Sequence, residues 1–278
     1  MFEDIRENDA RAVVKGWGFA IARELKLDVD PESRIFRSIN DLEKAFTEQE
    51  TDAVSMTAKE FWLLPNRTNH VSRLLVGIVG ETTTEEYLVL VRKDSAFQRI
   101  SDLRGKTMLL HDHPRMSPAT TWYDLALAAE VPAPGSVTEA RPTILRERKL
   151  TRVVLPVFFR KVEACLVNRK GFETMCEMNP QVQRDLRALA SSPPLLPMGF
   201  FFRRGYPKAD ADRMIGAFSR MQATPAGQQV LSVFQCSRVQ EESMDVLLAT
   251  LTLFDEHARL IPSDENPVVG AVPSGGPP

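Results

Sequence analysis

Cysteine, histidine, tyrosine and tryptophan are all scarce in this chain of 278 residues, and each scarcity excludes something. The three cysteines, Cys165, Cys176 and Cys236, are odd in number and far apart. That spacing makes neither a zinc knuckle nor a redox pair, so buried free thiols are expected. Charge of one sign is not in excess either. Lys and Arg total 35 against 37 Asp and Glu, a net charge of −2, with no long basic run. This argues against a nucleic-acid binder. No apolar stretch approaches the ~20 residues that span a bilayer. Met1-Phe2-Glu3-Asp4-Ile5-Arg6 lacks the basic and apolar regions of a signal peptide. Gly-rich phosphate loops, serine-hydrolase elbows and H-E-x-x-H are absent.

What remains is an ordinary globular composition, 43% hydrophobic and 26% charged, long enough for two lobes. Asn8-Asp9 can cap a helix whose apolar positions are Ala10, Val13, Val14, Trp17, Ile21 and Leu25. Ile35-Phe36 reads as a short strand, and Asn40 with Glu43 as a capping box. Ala53 to Met56 is a buried strand running into a second capping box, Thr57 to Glu60. Leu74 to Val79 and Tyr87 to Val91 are strand-like, with Thr82-Thr83-Thr84 in the turn between them. Strand patterns follow at Thr107–Leu110, Val137–Ala140, Ala164–Val167, Leu186–Ala190 and Met198–Phe202. Helices are expected at 150–160, kinked by Pro156, and around Phe172–Cys176, stopped by Asn179-Pro180. Three more close the fold, at 208–221, 225–234 (capped by Thr224) and 243–260. The Pro- and Gly-rich residues 261–278 read as a disordered tail. Strands alternating with helices predict an α/β fold with a mostly parallel sheet.

The stretch Tyr87–Leu127 organises the rest. Its second apolar run leads through the polar loop His111–Met116 to Ser117-Pro118. Ser117 as N-cap and Pro118 at the first helical position predict a helix start there. Free N–H groups and the helix dipole make such a start attractive to anions. Tyr87–Val91 and Met198–Phe202 are both apolar and both followed by basic residues. We expect them to cross side by side between two lobes, 1–91 plus 197–260 and 92–196, with 261–278 as the tail.

The segments NDARAVVKGWGFAIA, TDAVSMTAKEF, VLVRKDSAFQRISDLRGKTM, KVEACLVNRKGFETM, LASSPPLLP and ATPAGQQVLSVF occur in this order along the chain. Together they resemble the phosphate/phosphonate-type substrate-binding proteins of ABC transporters, which have the type 2 periplasmic-binding fold. The similarity covers Asn8 to about His257. It implies two α/β lobes joined by two crossing strands, a small ligand trapped between them, and no cofactor. Members that bind phosphonate often carry a Ser/Thr-Ser-Gly turn at the helix start of the second lobe. In this chain Met116-Ser-Pro-Ala-Thr-Thr121 keeps the hydroxyls without the glycine. The family also opens with an export signal and a first strand, so we expect the chain to be truncated at its start. Iron-binding relatives use tyrosine pairs, which this chain lacks.

Open α/β sheets bind ligands at the carboxyl ends of their strands. The expected ligand groups are therefore Ser55, Thr57, Thr82 and Thr83 from the first lobe, and Ser117, Thr120, Thr121, Asn168 and Arg169 from the second. Thr57 and Ser117 have an equal claim as plain helix caps, and Arg169 as a solvated arginine. Trp62, Trp122 and Tyr123 either wall the cleft or pack in the core. No catalytic residue and no metal site are expected. The expected role is a periplasmic, monomeric receptor that captures a small anionic ligand for a membrane permease. Alternatives are a ligand-sensing module for a signalling protein, or an enzyme on the same fold using His111, Asp112 and His113.

Overall fold

The computed structural model describes residues 22, 34–131, 137–233 and 235–261. The expected helix after Asn8-Asp9, all but one of its residues, and the expected tail beyond Ile261 lie outside them.

Helix α1, Ile39–Thr47, opens at Ser38, whose hydroxyl accepts from the Asp41 N–H at 3.1 Å. The cap is thus two residues ahead of the expected Asn40, because serine is free of the helical geometry that Asn40 already adopts. No strand forms at Ile35-Phe36. Strand β1, Ala53–Thr57, feeds straight into helix α2, Ala58–Leu63, through the expected capping box. Helix α3, Arg67–His70, is a single turn before strand β2, Val71–Ile78. Strand β8, Met198–Arg203, and strand β9, Arg238–Glu242, complete a four-stranded sheet in the order β1-β8-β2-β9.

The second sheet has five strands. They are β3 (Tyr87–Arg92), β4 (Thr107–His111), β5 (Thr143–Glu147), β6 (Ala164–Asn168) and β7 (Leu186–Ser191), in the order β5-β4-β6-β3-β7. Its helices are α4 (Ser117–Ala128), α5 (Val137–Ala140), α6 (Leu150–Phe158), α7 (Arg169–Met178) and α8 (Pro180–Asp185). Helices α9 (Lys208–Arg220), α10 (Pro225–Val233) and α11 (Leu248–Leu260) follow β8.

Three expectations change. Val137–Ala140 is a helical turn, and the strand lies six residues on, at β5, in the polar sequence Thr-Ile-Leu-Arg-Glu. Pro180 begins α8 rather than only stopping α7, a position where its missing N–H costs nothing. The sheets are not mostly parallel: among the described strands only β4–β5 and β4–β6 pair parallel. Every other pairing is antiparallel. The chain path requires this. Strand β3 starts where the chain enters the second sheet and β7 ends where it leaves, so they run in opposite directions.

The crossing also differs from expectation. Tyr87–Val91 and Met198–Phe202 do not lie side by side: β3 pairs with β6 and β7, and β8 with β1 and β2. The reason is burial. Tyr87, Leu88, Val89, Leu90 and Val91 are all buried, so this strand belongs inside a sheet covered on both faces. The two segments that do meet are the ones just before β3 and just after β7. Glu85 and Leu195 exchange backbone hydrogen bonds at 2.8 and 2.9 Å. Next to them, Tyr87 N–H donates to Ser192 Oγ at 2.8 Å, and Ser192 N–H to Tyr87 O at 2.9 Å. Gly80, at φ +64, makes the turn that sends the chain into this crossing. A division after residue 91 would cut through β3.

One apolar cluster runs through the junction, from Phe46, Leu74 and Phe201 through Tyr87 and Met108 to Trp122 and Phe254. The far face of the second sheet carries its own cluster with Leu88, Leu90, Val153, Val157, Cys165 and Cys176. Cys165 and Cys176 are buried free thiols and Cys236 is a half-buried one.

Candidate functional site

Strands β4 and β6 run parallel, so His111 and Asn168 end on the same edge of the second sheet, beside the start of β3. Charge gathers there. Arg115 Nε donates to Glu85 Oε1, and Asn168 Nδ2 donates to Glu85 Oε2 at 3.2 Å. The Arg115 and Glu85 side chains are only 9% and 4% exposed. Tyr87 Oη donates to Arg115 O at 2.6 Å, and burial raises the tyrosine's pKa well above its usual value. The histidine rings stack with centroids 5.8 Å apart. His111 Nε2–H donates to Arg148 O at 3.1 Å, which leaves Nδ1 as a buried acceptor without a partner. His113 Nδ1 accepts from Arg115 N–H at 3.2 Å. Burial lowers both imidazole pKa values, that of His113 to about 4, with His111 and Arg115 adding to the effect. Both rings are therefore neutral at pH 7. They share a cavity of about 30 Å³ with Val79, Met116 and Gln235, room for about one water. Among the described residues no three His, Cys, Asp or Glu are grouped to hold a metal.

A second cavity, open and about 1510 Å³, brings other residues together. Lys59 reaches it from the first turn of α2, and Ser117, Thr120, Thr121 and Tyr123 from α4. The Lys59 ammonium lies 4.2 Å from the Trp62 ring centroid and 4.8 Å from that of Phe254. Rings attract a cation but do not neutralise it. No carboxylate pairs with Lys59 among the described residues, and burial lowers its pKa. The Tyr123 hydroxyl has no hydrogen-bond partner among the described residues, on a residue only 1% exposed. A buried hydroxyl without a partner costs free energy that a ligand hydrogen bond would recover.

The expected ligand residues divide accordingly. Ser117, Thr120 and Thr121 line the large cavity, but Ser117 is not the N-cap. A 3-10 turn, Pro114–Met116, runs directly into α4, so Met116 holds that place and Ser117 is already helical. Its N–H donates to Pro114 O, and Pro118 has no N–H to offer. Hydroxyls are thus more available to an anion at this helix start than backbone amides. Thr57 is held in its capping box, with its N–H on Glu60 Oε2 at 2.6 Å and its hydroxyl accepting from Glu60 N–H at 3.2 Å. Ser55 is exposed on β1 opposite Phe200. The Thr82 hydroxyl, also exposed, donates to Thr84 O at 2.9 Å, and Thr83 is half-buried in the same turn. Asn168 joins the Glu85 cluster. Arg169 is bound to Glu86, with Nη2 3.0 Å from its carboxylate. Trp122 and Tyr123 pack in the core, and Trp62 Nε1 donates to Asp255 Oδ1 at 2.8 Å.

Lys59, Glu85 and Arg115 were not singled out from the sequence. A lone lysine after a helix cap carries no motif, and it becomes notable only because no carboxylate among the described residues pairs with it.

The family model described as "ABC transporter, phosphonate, periplasmic substrate-binding protein" matches residues 9–247. No curated protein matches the chain. Among solved structures, XAC2383 from Xanthomonas citri, bound to chloride ion, is 18% identical with a TM-score of 0.61, over 92% of this chain and 96% of that one. The same protein has been solved bound to ATP. A binding protein component of an ABC phosphonate transporter from Pseudomonas aeruginosa, PA3383, is 15% identical at 0.57, over 96% and 87%. PhnD1 from Prochlorococcus marinus, in complex with methylphosphonate, is 10% identical at 0.55, over 91% and 92%. At these identities the likeness carries the fold, two α/β lobes joined by a double crossing. The family match spans most of the chain, and the protein belongs to the phosphonate periplasmic substrate-binding proteins of ABC transporters.

Proposed function

We propose that this protein captures a phosphonate- or phosphate-like anion between its two lobes and delivers it to a membrane permease. It acts outside the membrane, in the periplasm, as a monomer and without catalysing a reaction. No helix among the described residues is long and apolar enough to cross a membrane. The lobes divide at the Glu85–Leu195 crossing, with β1, β2, β8 and β9 in one and β3 to β7 in the other. The observation that carries this reading is the ammonium of Lys59, which has no anionic partner among the described residues and shares a cavity with Ser117, Thr120, Thr121 and Tyr123 of the other lobe. One cation and several hydroxyls suit a tetrahedral oxyanion. We keep Ser55 and Thr57, which precede Lys59 in the chain, as further groups of the first lobe that reach the ligand on closure. Asn168 and Arg169, held by Glu85 and Glu86 beside the crossing, and the Thr82–Thr83 turn would reach a ligand only by releasing these contacts on closure.

Titration calorimetry against phosphate, methylphosphonate, sulfonates and carboxylates tests this. A charged hydrogen bond contributes about 1.5–3 kcal/mol. Lys59→Met is therefore expected to weaken phosphonate binding about ten- to a hundredfold, and Arg169→Ala much less. Equal affinity in the Lys59→Met variant and the parent would remove this lysine from the site.

A further inference from the structure

The cavity that holds Lys59 and Ser117 does not end at them. It continues along β5 to Lys161 and Val162, past Ile144, Leu145, Leu155 and Phe159. Strand β5 is the last of its sheet and pairs only with β4, so its outer edge carries no strand among the described residues. Large apolar side chains face solvent along it: Leu145 is 49% exposed and Phe159 60%. Single exposed apolar residues are common, but several along one groove that opens from a ligand cavity are not. The volume of about 1510 Å³ exceeds the roughly 300–1,000 Å³ of common small-molecule pockets. A methylphosphonate-sized anion at Lys59 would leave most of it empty. The cations along the rim are largely engaged, Arg146 with Asp112 at 3.0 Å and Arg152 with Glu147 at 3.8 Å. The wall is apolar at Ile144, Leu145, Leu155 and Phe159, with Thr143, Thr151 and Lys161 as its polar members.

We propose that this groove is a second subsite of the same ligand site and takes an alkyl or aryl substituent, so that the ligand is an organophosphorus anion with an apolar tail. The proposal rests on the anion reading of Lys59 and the α4 hydroxyls, with which the groove is continuous.

The test is a calorimetric series of methyl-, butyl- and octylphosphonate with phenylphosphonate as the aryl member. Burying one methylene contributes about 0.8 kcal/mol, so affinity is expected to rise about fourfold for each carbon that enters the groove. Leu145→Ser and Phe159→Ser, both at exposed positions, are expected to flatten that rise while leaving methylphosphonate affinity unchanged. A flat series in the parent protein, with methylphosphonate still bound, overturns the groove subsite and leaves the anion site standing. An unaltered slope in both variants also overturns it, by placing the tail elsewhere. If no phosphonate binds at all, the reading of Lys59 fails and this proposal falls with it.

Discussion

A histidine that accepts a hydrogen bond through one ring nitrogen must lose that bond to become charged. His113 is in this position, with Nδ1 on the Arg115 N–H and its pKa lowered from the ordinary 6.5 to about 4 by burial. The groups acting on it among the described residues are His111, Arg115 and Asp112, and Glu85, which lines the same cavity, is already paired with Arg115. The sign follows from proton binding. Between pH about 6.5 and 4 the unfolded chain binds a proton at this ring that the folded chain does not, so stability falls as pH falls through this window. It is fully present above about 6.5. His113→Asn keeps an acceptor for the Arg115 N–H but has nothing to titrate. Urea midpoints measured at about pH 7.5 and about pH 4.5 are expected to drop further in the parent than in His113→Asn. An equal drop would show that the ring titrates freely. His111, whose pKa is also lowered, keeps part of the effect in the variant.

Helix α11 connects elements that the sheets keep apart. Through Phe254 and Asp255 it meets Trp62 of α2, and through His257 it meets Asp124 of α4 at 3.1 Å. Asp124 is buried between that ring and Arg141, whose guanidinium is 2.8 Å away. Removing the carboxylate breaks a largely buried ion pair with Arg141, a loss of about 3–5 kcal/mol. Asp124→Ala is therefore expected to lower the thermal midpoint strongly, and His257→Ala less, since Arg141 still satisfies Asp124. Comparable losses would mean the histidine, not the arginine, carries the interaction. The sequence conveyed the elements of this region better than their joints. Strand β1 with its capping box was legible because Thr57 and Glu60 are three residues apart and the signal is local. Strand β9 was not, since Arg-Val-Gln-Glu-Glu is polar and forms a strand only because β2 offers a free edge. The β5 strand and the helical turn at Val137–Ala140 were misplaced for the same reason. Tertiary pairing overrides weak local preference. Ser117, Thr120 and Thr121 were legible as hydroxyls at a helix start. Lys59 was not, because what marks it is that no carboxylate among the described residues pairs with it.

On the scale of the whole molecule, the chain crosses between the lobes at a polar joint, while α11 and α4 pack the lobes together beside it. Glu85 lies on one crossing segment, and its carboxylate is held by Arg115 and Asn168 beside the C-terminal ends of β4 and β6. A buried ion pair is weak evidence for stability in itself, because desolvation offsets most of the attraction. Its effect appears when one partner is lost. Arg115→Met leaves the Glu85 carboxylate buried and unpaired, and is expected to destabilise by about 3–5 kcal/mol. Combining it with Glu85→Gln removes the stranded charge and is expected to restore much of the loss, as read from urea midpoints. Ligand affinity separates the two roles this arginine can have. If it serves the joint, the double variant binds methylphosphonate nearly as tightly as the parent. If it leaves Glu85 for the ligand when the lobes close, the double variant folds well but binds at least tenfold more weakly, and the binding site then extends from Lys59 to the crossing itself.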